Sequence, residues 1–433
     1  MQRSKLSYFF LGLAAVIAAS AAYLWFTRPS LRSKAHAANS AENAAAGVSP
    51  DQAGHDQAAA KPDLDKVLAD PGVGAAAAEP GELVARIAKA FEARDLAAFG
   101  TLIGKEALDS QAFARLKTLF ASPLRVRQPD GVREVGESEL SVRSRWSIEL
   151  EGSDGISLDL LRANGKWKVE KMTLPRDFQE ECAAVMEMDS LGVADAFLQS
   201  LLKQNFQVAR AFVNPATVSD AKIAGLCILF EEGDYRQRKT KPLRSMFQRE
   251  DTAGYLANVE SRDGKQSAQF AITLKRAPAS SPWIISEINL DQLLADYASR
   301  VANGDLYYSP LVKNPNGGDT LALYFEFDED EMHPRTRRQL EIVSLILRSD
   351  PGKKITLSGH TDALGTKDYN NGLSSRRADV VRDYLIQVGV AASQIVAVAK
   401  GDSQPRRPNV TEAGVDSPEG RRANRRTEIY LDF

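Results

Sequence analysis

From Tyr8 to Phe26 the chain runs through 19 residues without one charged side chain (YFFLGLAAVIAASAAYLWF). No other feature constrains it as much, because so apolar a segment cannot stay exposed to water. As a helix it would extend about 28 Å, near the thickness of a bilayer's hydrocarbon core. Tyr8, Tyr23 and Trp25 stand near its ends, where amphipathic rings favour a membrane interface. Arg3 and Lys5 precede it and Arg28, Arg32 and Lys34 come after it, so the charge balance that orients a span is nearly even. Two readings stay open. Residues 1–26 are a cytoplasmic tip with a transmembrane helix, or they are a signal peptide, since Ala19-Ser20-Ala21 and Ala35-His36-Ala37 both have the form of a cleavage site. Either reading exports the remainder of the chain.

Residues 27–80 are rich in Ala, Gly, Ser, Asp and Pro and hold almost no large apolar side chains. Such a stretch cannot bury enough surface to fold and reads as a disordered linker, with an r.m.s. span of about 40 Å. The net charge of −2 gives no basic field for nucleic acid. Cys182 and Cys227 lie far apart and form no metal-binding pattern. They are either one bridge or two buried thiols.

The middle of the chain reads as two copies of one α+β unit, at 81–178 and 185–300. The first opens with Leu83, Val84, Ile87, Ala88 and Phe91, the second with Val193, Ala194, Phe197, Leu198 and Leu201, all at helical spacing. Both then turn to strands. Leu140 to Leu150 alternates and predicts one strand, and Ser153-Asp154-Gly155 and Arg262-Asp263-Gly264 predict turns. Each copy closes on a tryptophan-led strand, at Trp167 and Trp283. This order resembles the cone-shaped α+β fold of the nuclear transport factor and SnoaL-like superfamily. Such cones are enzymes in some members and scaffolds in others. Histidine is absent between His55 and His333, which removes the commonest general base and leaves only carboxylates such as Asp159 or Glu149. The expected role is a spacer or a module for envelope protein partners, with no catalytic residue. The alternative is an enzyme or small-ligand binder built on one cone.

The last stretch, 319–433, reads as βαβαβ with a final strand. Leu321 to Phe327 alternates; Pro334 opens a helix; Ile355-Thr356-Leu357 is a strand; Ser374 caps the next helix; Ile395 to Ala399 and Thr427 to Leu431 are strands. Five blocks stand in order here: Tyr324-Phe325-Glu326-Phe327-Asp328; Gly359-His360-Thr361-Asp362-Ala363-Leu364-Gly365; Tyr369-Asn370-Asn371-Gly372-Leu373-Ser374-Ser375-Arg376-Arg377-Ala378; Gly401 with Pro405 and Asn409; and Gly420-Arg421 with Asn424-Arg425-Arg426-Thr427-Glu428-Ile429. Together they resemble the OmpA-like peptidoglycan-binding domain family, the type at the C-terminus of OmpA and MotB. Arg406 to Pro418 is longer than the family's pattern.

The resemblance implies a ligand: the peptidoglycan stem peptide carrying diaminopimelate, whose side chain ends in one ammonium and one carboxylate. Asp362 matches the family's aspartate and would take the ammonium. Arg377 matches its arginine and would grip the carboxylate. Arg377 is expected in the first turn of its helix, where the helix N-terminus adds to the attraction. Thr361, Gly365, Tyr369, Asn370 and Leu373 match positions lining the family pocket. Phe327, Asp328 and Arg425 match positions beside it. The cluster Arg421, Arg422, Arg425 and Arg426 is expected to pair with nearby carboxylates. No metal or cofactor is expected.

The whole is expected to be a non-catalytic tether between membrane and wall, held in the inner membrane by its N-terminal helix with the rest in the periplasm. Signal cleavage would instead release it to the periplasm or the outer membrane. An ion-driven stator would need a carboxylate within 8–26, which has none. A barrel would need serial alternating strands where helices are predicted.

Overall fold

The computed structural model describes residues 77–432 except 105–106, 108–109, 176–187, 278–280, 303–310, 314–318, 327–331 and 333. The apolar run 8–26, most of the linker, Cys182, Phe327 and Asp328 lie outside the described residues. Among the described residues no helix is long and apolar enough to cross a membrane.

The fold begins before the expected end of the linker. Ala77 exchanges two backbone hydrogen bonds with Trp167, at 3.2 and 2.8 Å. Helix α1 (Pro80–Glu92) then buries Leu83, Val84, Ile87 and Phe91. Asp95 caps α2 (Leu96–Ile103), its carboxylate accepting from the Ala98 N–H at 2.9 Å. After α3 (Ser110–Ala121), the rings of Phe91 and Phe99 both meet Phe120 edge-on, with centroids 5.1 and 5.0 Å away. Strands β1 (Val132–Glu139), β2 (Arg143–Ile148), β3 (Ile156–Ala163) and β4 (Lys166–Thr173) complete the repeat as an antiparallel meander.

The second repeat opens in the same way, on three helices, and continues with five strands and a closing helix. Asp189, Asn205 and Ser219 cap α4 (Ser190–Leu202), α5 (Phe206–Ala211) and α6 (Asp220–Glu232). Then come β5 (Tyr235–Gln237), β6 (Leu243–Gln248), β7 (Thr252–Ser261), β8 (Ser267–Lys275), β9 (Ile284–Asn289) and α7 (Asp291–Ala302). Arg262-Asp263-Gly264 forms the expected turn between β7 and β8, with the Gly264 N–H donating to the Ser261 carbonyl at 2.8 Å.

One predicted strand is corrected. Leu140 to Leu150 is not continuous. Leu140 is 50% exposed in the turn between β1 and β2, and Ser141 takes a positive φ of 58°. Ser144, a polar break by sequence, is buried and donates to the Gly136 carbonyl at 3.4 Å.

The two repeats share one sheet of order β4-β3-β2-β1-β6-β7-β8-β9, with β5 beside β7. They meet where β1 runs parallel to β6, at the pair Glu137–Arg244. Around that pair the seam is ionic. Arg133 forks onto Asp195 at 2.7 and 2.9 Å and reaches Glu149 at 3.2 Å. Arg145 forks onto Asp189 at 2.7 and 2.8 Å. The buried Glu134 accepts from the Lys241 N–H at 3.0 Å, and Glu137 faces Lys241 Nζ at 3.3 Å.

The last stretch adds β10 (Leu311–Lys313), β11 (Asp319–Glu326), α8 (Pro334–Ser349), β12 (Ile355–His360), α9 (Lys367–Gln387), β13 (Ile395–Gly401), α10 (Pro418–Asn424) and β14 (Arg426–Asp432). Its sheet has the order β10-β11-β14-β12-β13, with β12 and β13 parallel and β14 antiparallel to both its neighbours. Its core is continuous with that of the second repeat. Ile223, Ala224, Cys227 and Ile228 of α6 belong to the same apolar cluster as Leu340, Val343, Ile346 and Leu347 of α8. Among the described residues, the first repeat keeps a separate core and gives only Val135 to this one. Helix α6 is buried on nearly every side, as expected of a helix packed from two directions. Cys227 within it is a free thiol, pushed up to about 12 by burial.

Candidate functional site

The Gly359-His360-Thr361-Asp362 block leaves the end of β12, and the sequence explains how it gets so close to α9. A Cβ on Gly359 would stand 1.9 Å from the Ser374 carbonyl oxygen, so only glycine lets the strand and the helix touch there. Thr361 N–H donates to the Gly401 carbonyl at 2.9 Å, and the Gly401 N–H donates to Ser374 Oγ at 3.0 Å. These bonds fasten β12, β13 and α9 at one corner. Gly365, at φ 104°, turns the chain back toward α9.

The start of α9 corrects the sequence reading. Thr366, not Ser374, is its cap, accepting from the Tyr369 N–H at 3.3 Å. The helix runs on through Gly372, so Arg377 stands in the middle of the helix and not in its first turn. The helix N-terminus therefore does not act at Arg377. This residue enters the site by its length instead. It is 2% exposed, and its Nη1 donates to the His360 carbonyl at 3.0 Å, close along the chain to Asp362.

Asp362 is 8% exposed. Its Oδ1 accepts from the Leu364 N–H at 3.1 Å, an Asx turn that fixes the carboxylate. Its Oδ2 accepts from Arg425 Nη1 at 3.1 Å and lies 3.9 Å from Arg421 Nε. Arg421 also pairs with Asp416. Arg421, Arg425 and Arg426 of the closing arginines thus meet carboxylates, and one of those carboxylates is Asp362 itself. Arg426 binds Glu428 at 2.7 Å. Burial disfavours the Glu428 charge, yet His360, the Tyr430 hydroxyl and Arg426 outweigh it and hold this carboxyl at about 2.

Beside this charge cluster lie polar groups that the protein does not satisfy. Asn370 is 1% exposed, and neither atom of its side-chain amide has a hydrogen-bond partner among the described residues; Thr361 is 2% exposed, and its Oγ1 has none there either. A Cβ on Gly365 would lie 3.4 Å from Asn370 Oδ1, so this amide sits beneath the glycine turn. Buried amides and hydroxyls almost always find a partner, whether protein, water or ligand. At the surface, Tyr369 and Leu364 are exposed, and Leu373 is half-buried.

The structure thus gathers Thr361, Asp362, Gly365, Asn370, Arg377 and Arg425 about one corner. Sequence reasoning missed two contributors. By sequence, Arg421 reads as part of the closing family block and of a basic cluster, with no role at the site. Asn424 holds the lengthened loop, its Oδ1 accepting from the Arg406 and Arg407 N–H groups at 2.6 and 3.1 Å and its Nδ2 donating to Asn409 Oδ1 at 3.0 Å. The Gly-Arg and Asn-Arg-Arg spacing was the available signal for both.

Comparison with known families places a match to the OmpA family over residues 324–417. This stretch is an OmpA family domain. The match includes Asp362, Asn370 and Arg377 and stops short of Arg421 and Arg425. Outer membrane porin F of Pseudomonas fluorescens is 38% identical over 112 residues, which are 26% of this chain and 32% of the porin. Peptidoglycan-associated lipoprotein of Pseudomonas aeruginosa is 38% identical over 82 residues, 19% of this chain and 48% of the relative. Peptidoglycan-binding protein ArfA of Mycobacterium bovis is 36% identical over 108 residues, 25% of this chain and 31% of the relative. The chain therefore spans less than half the length of each of these relatives.

Proposed function

We propose that the OmpA family domain binds peptidoglycan without covalent chemistry, by way of the diaminopimelate-bearing stem peptide, and that the chain tethers a membrane to the wall. The observation that carries this reading is the fixed, nearly buried Asp362 carboxylate set among guanidinium groups. The end of a diaminopimelate side chain carries both an ammonium and a carboxylate, and this cluster offers a partner for each. Asp362 takes the ammonium, Arg377 and Arg425 face the carboxylate, and Thr361 and Asn370 satisfy their orphaned atoms on the ligand. The names of two relatives, peptidoglycan-associated and peptidoglycan-binding, support the same ligand class. Residues 8–26 anchor the chain in the inner membrane, and the two repeats serve as a non-catalytic periplasmic spacer.

Sedimentation with purified sacculi tests the site. Asp362→Asn keeps the size of the side chain and removes its charge. It is expected to weaken binding by about tenfold or more, since a charge-assisted hydrogen bond contributes about 1.5–3 kcal/mol. Arg377→Lys, which keeps the buried charge but not the planar guanidinium, is expected to weaken it less. Undiminished binding by both variants would sink the proposed pocket.

A further inference from the structure

Arg421 stands where the lengthened loop meets the site. The loop folds back on itself: Thr411 N–H donates to the Val415 carbonyl at 2.7 Å, and Ser417 N–H donates to the Asn409 carbonyl at 2.9 Å. Val410 and Asp416 form a β-bridge across it. This small hairpin delivers the Asp416 carboxylate to Arg421 Nη1. The other end of the same guanidinium, Nε, is buried without a hydrogen-bond acceptor among the described residues and stops 3.9 Å from Asp362 Oδ2. Arg425 already occupies that oxygen at 3.1 Å.

We propose that Arg421, held back by Asp416, is a specificity-determining residue that makes the site demand a carboxylate on its ligand as well as an ammonium. This role rests on the stem-peptide reading of the site. Charge balance sets the demand. Arg421 and Arg425 both face Asp362, and Asp416 balances Arg421 from the other side. A ligand bearing an ammonium alone would approach Asp362 against two guanidinium groups. A zwitterionic end brings no net charge and supplies the acceptor that Arg421 Nε lacks. Asp416 is the positioning residue. Without it, Arg421 is free to close fully onto Asp362 and neutralise the carboxylate that the ammonium needs.

Calorimetric titration of the full chain with two probes separates this role from a structural one. The first probe is a muropeptide with a free diaminopimelate side-chain carboxylate; the second is the same muropeptide with a carboxamide there. The wild-type chain is expected to prefer the acid by about tenfold or more, the effect of one charge-assisted bond. Arg421→Gln should lower that ratio several-fold, with Arg377 and Arg425 still facing the carboxylate; Arg421→Lys should restore part of it, and Asp416→Ala should narrow it. A change that merely loosened the domain would weaken both probes alike and leave the ratio intact. An unchanged ratio in Arg421→Gln, alongside lost binding of both probes in Asp362→Asn, overturns the role of Arg421 and leaves the stem-peptide site standing. Binding of neither probe by the wild-type chain overturns both readings.

Discussion

The two junctions that join the folded parts of this chain are built from opposite materials. Between the first and second repeats, one parallel strand pair is flanked by Arg133, Arg145 and Lys241 and their carboxylates, while among the described residues the first repeat's core stays separate but for Val135. Between the second repeat and the OmpA family domain, α6 and α8 share a single apolar cluster, and ion pairs such as Arg338–Glu231 and Arg335–Glu232 lie at its margin. Apolar burial is non-directional and makes the two partners one cooperative unit. An ionic seam fixes geometry instead, and its net stabilisation is small because each charge loses water on pairing. The second repeat is thus more a part of the OmpA family domain's fold than of its own twin's.

The largest expected effect tests the shared core. Ile346→Ala removes a fully buried side chain at a cost of about 2–5 kcal/mol. Hydrogen exchange should show the second repeat and the OmpA family domain losing protection together, with the first repeat unaffected. Loss confined to 334–432 would break the comparison. Next comes the seam. Arg133→Met takes the guanidinium from Asp195 and leaves Glu149 to Arg127, for about 1–3 kcal/mol given that the arginine is partly exposed. Exchange should quicken in β1 and β6 and not in α8, and adding Asp195→Leu should recover most of the loss.

Acid should separate the junctions further. Burial opposes the charge on Glu149, but Arg133 outweighs it, and Arg145 does the same for Asp189; both carboxyls lie below the usual range. Their contribution is whole above the ordinary carboxylate pKa and fades as pH falls through that range and below it. Glu232, at the apolar junction, is raised by burial, so acid favours its folded form. Glu134 at the seam is raised for the same reason and offsets part of the loss. Small-angle scattering across an acid titration, from neutral pH down through the carboxylate range, should show the first repeat swinging free before the shared core yields. A shared core that opened first would reverse the assignment. The smallest effect is Arg338→Ala, an exposed partner of Glu231, expected to cost under about 1 kcal/mol by thermal unfolding.

Much of the OmpA family domain is legible in the sequence because its strands alternate and its five blocks stand in order. The corner around Asp362 comes with them. Other features stay hidden because distant residues decide them. Strand β1 carries Glu134, Gly136 and Glu137 where a buried face should be apolar, because those acids answer Lys241, far along the chain in the second repeat. Gly372 and Ser374 look like a helix boundary, but Thr366 has already capped the helix, and Ser374 bonds Gly401 instead. Arg421 looks like one of a run of surface arginines, since nothing local reveals that a hairpin delivers Asp416 to it. Helix α6 gives no one-sided pattern, as both of its faces are covered.

Strand β12 lies between β13 and β14, hydrogen-bonded on both sides, and Asp362 stands just past its end. A pull on Asp362 along the strand would therefore load both ladders in shear, with their bonds strained together. The junction between the repeats has one ladder pair among the described residues, Glu137–Arg244, and otherwise rests on the side-chain ion pairs of Arg133, Arg145 and Lys241. Under tension along the chain that junction is the natural weak link, a place where the first repeat can peel away and reseat while the sheet around Asp362 stays whole.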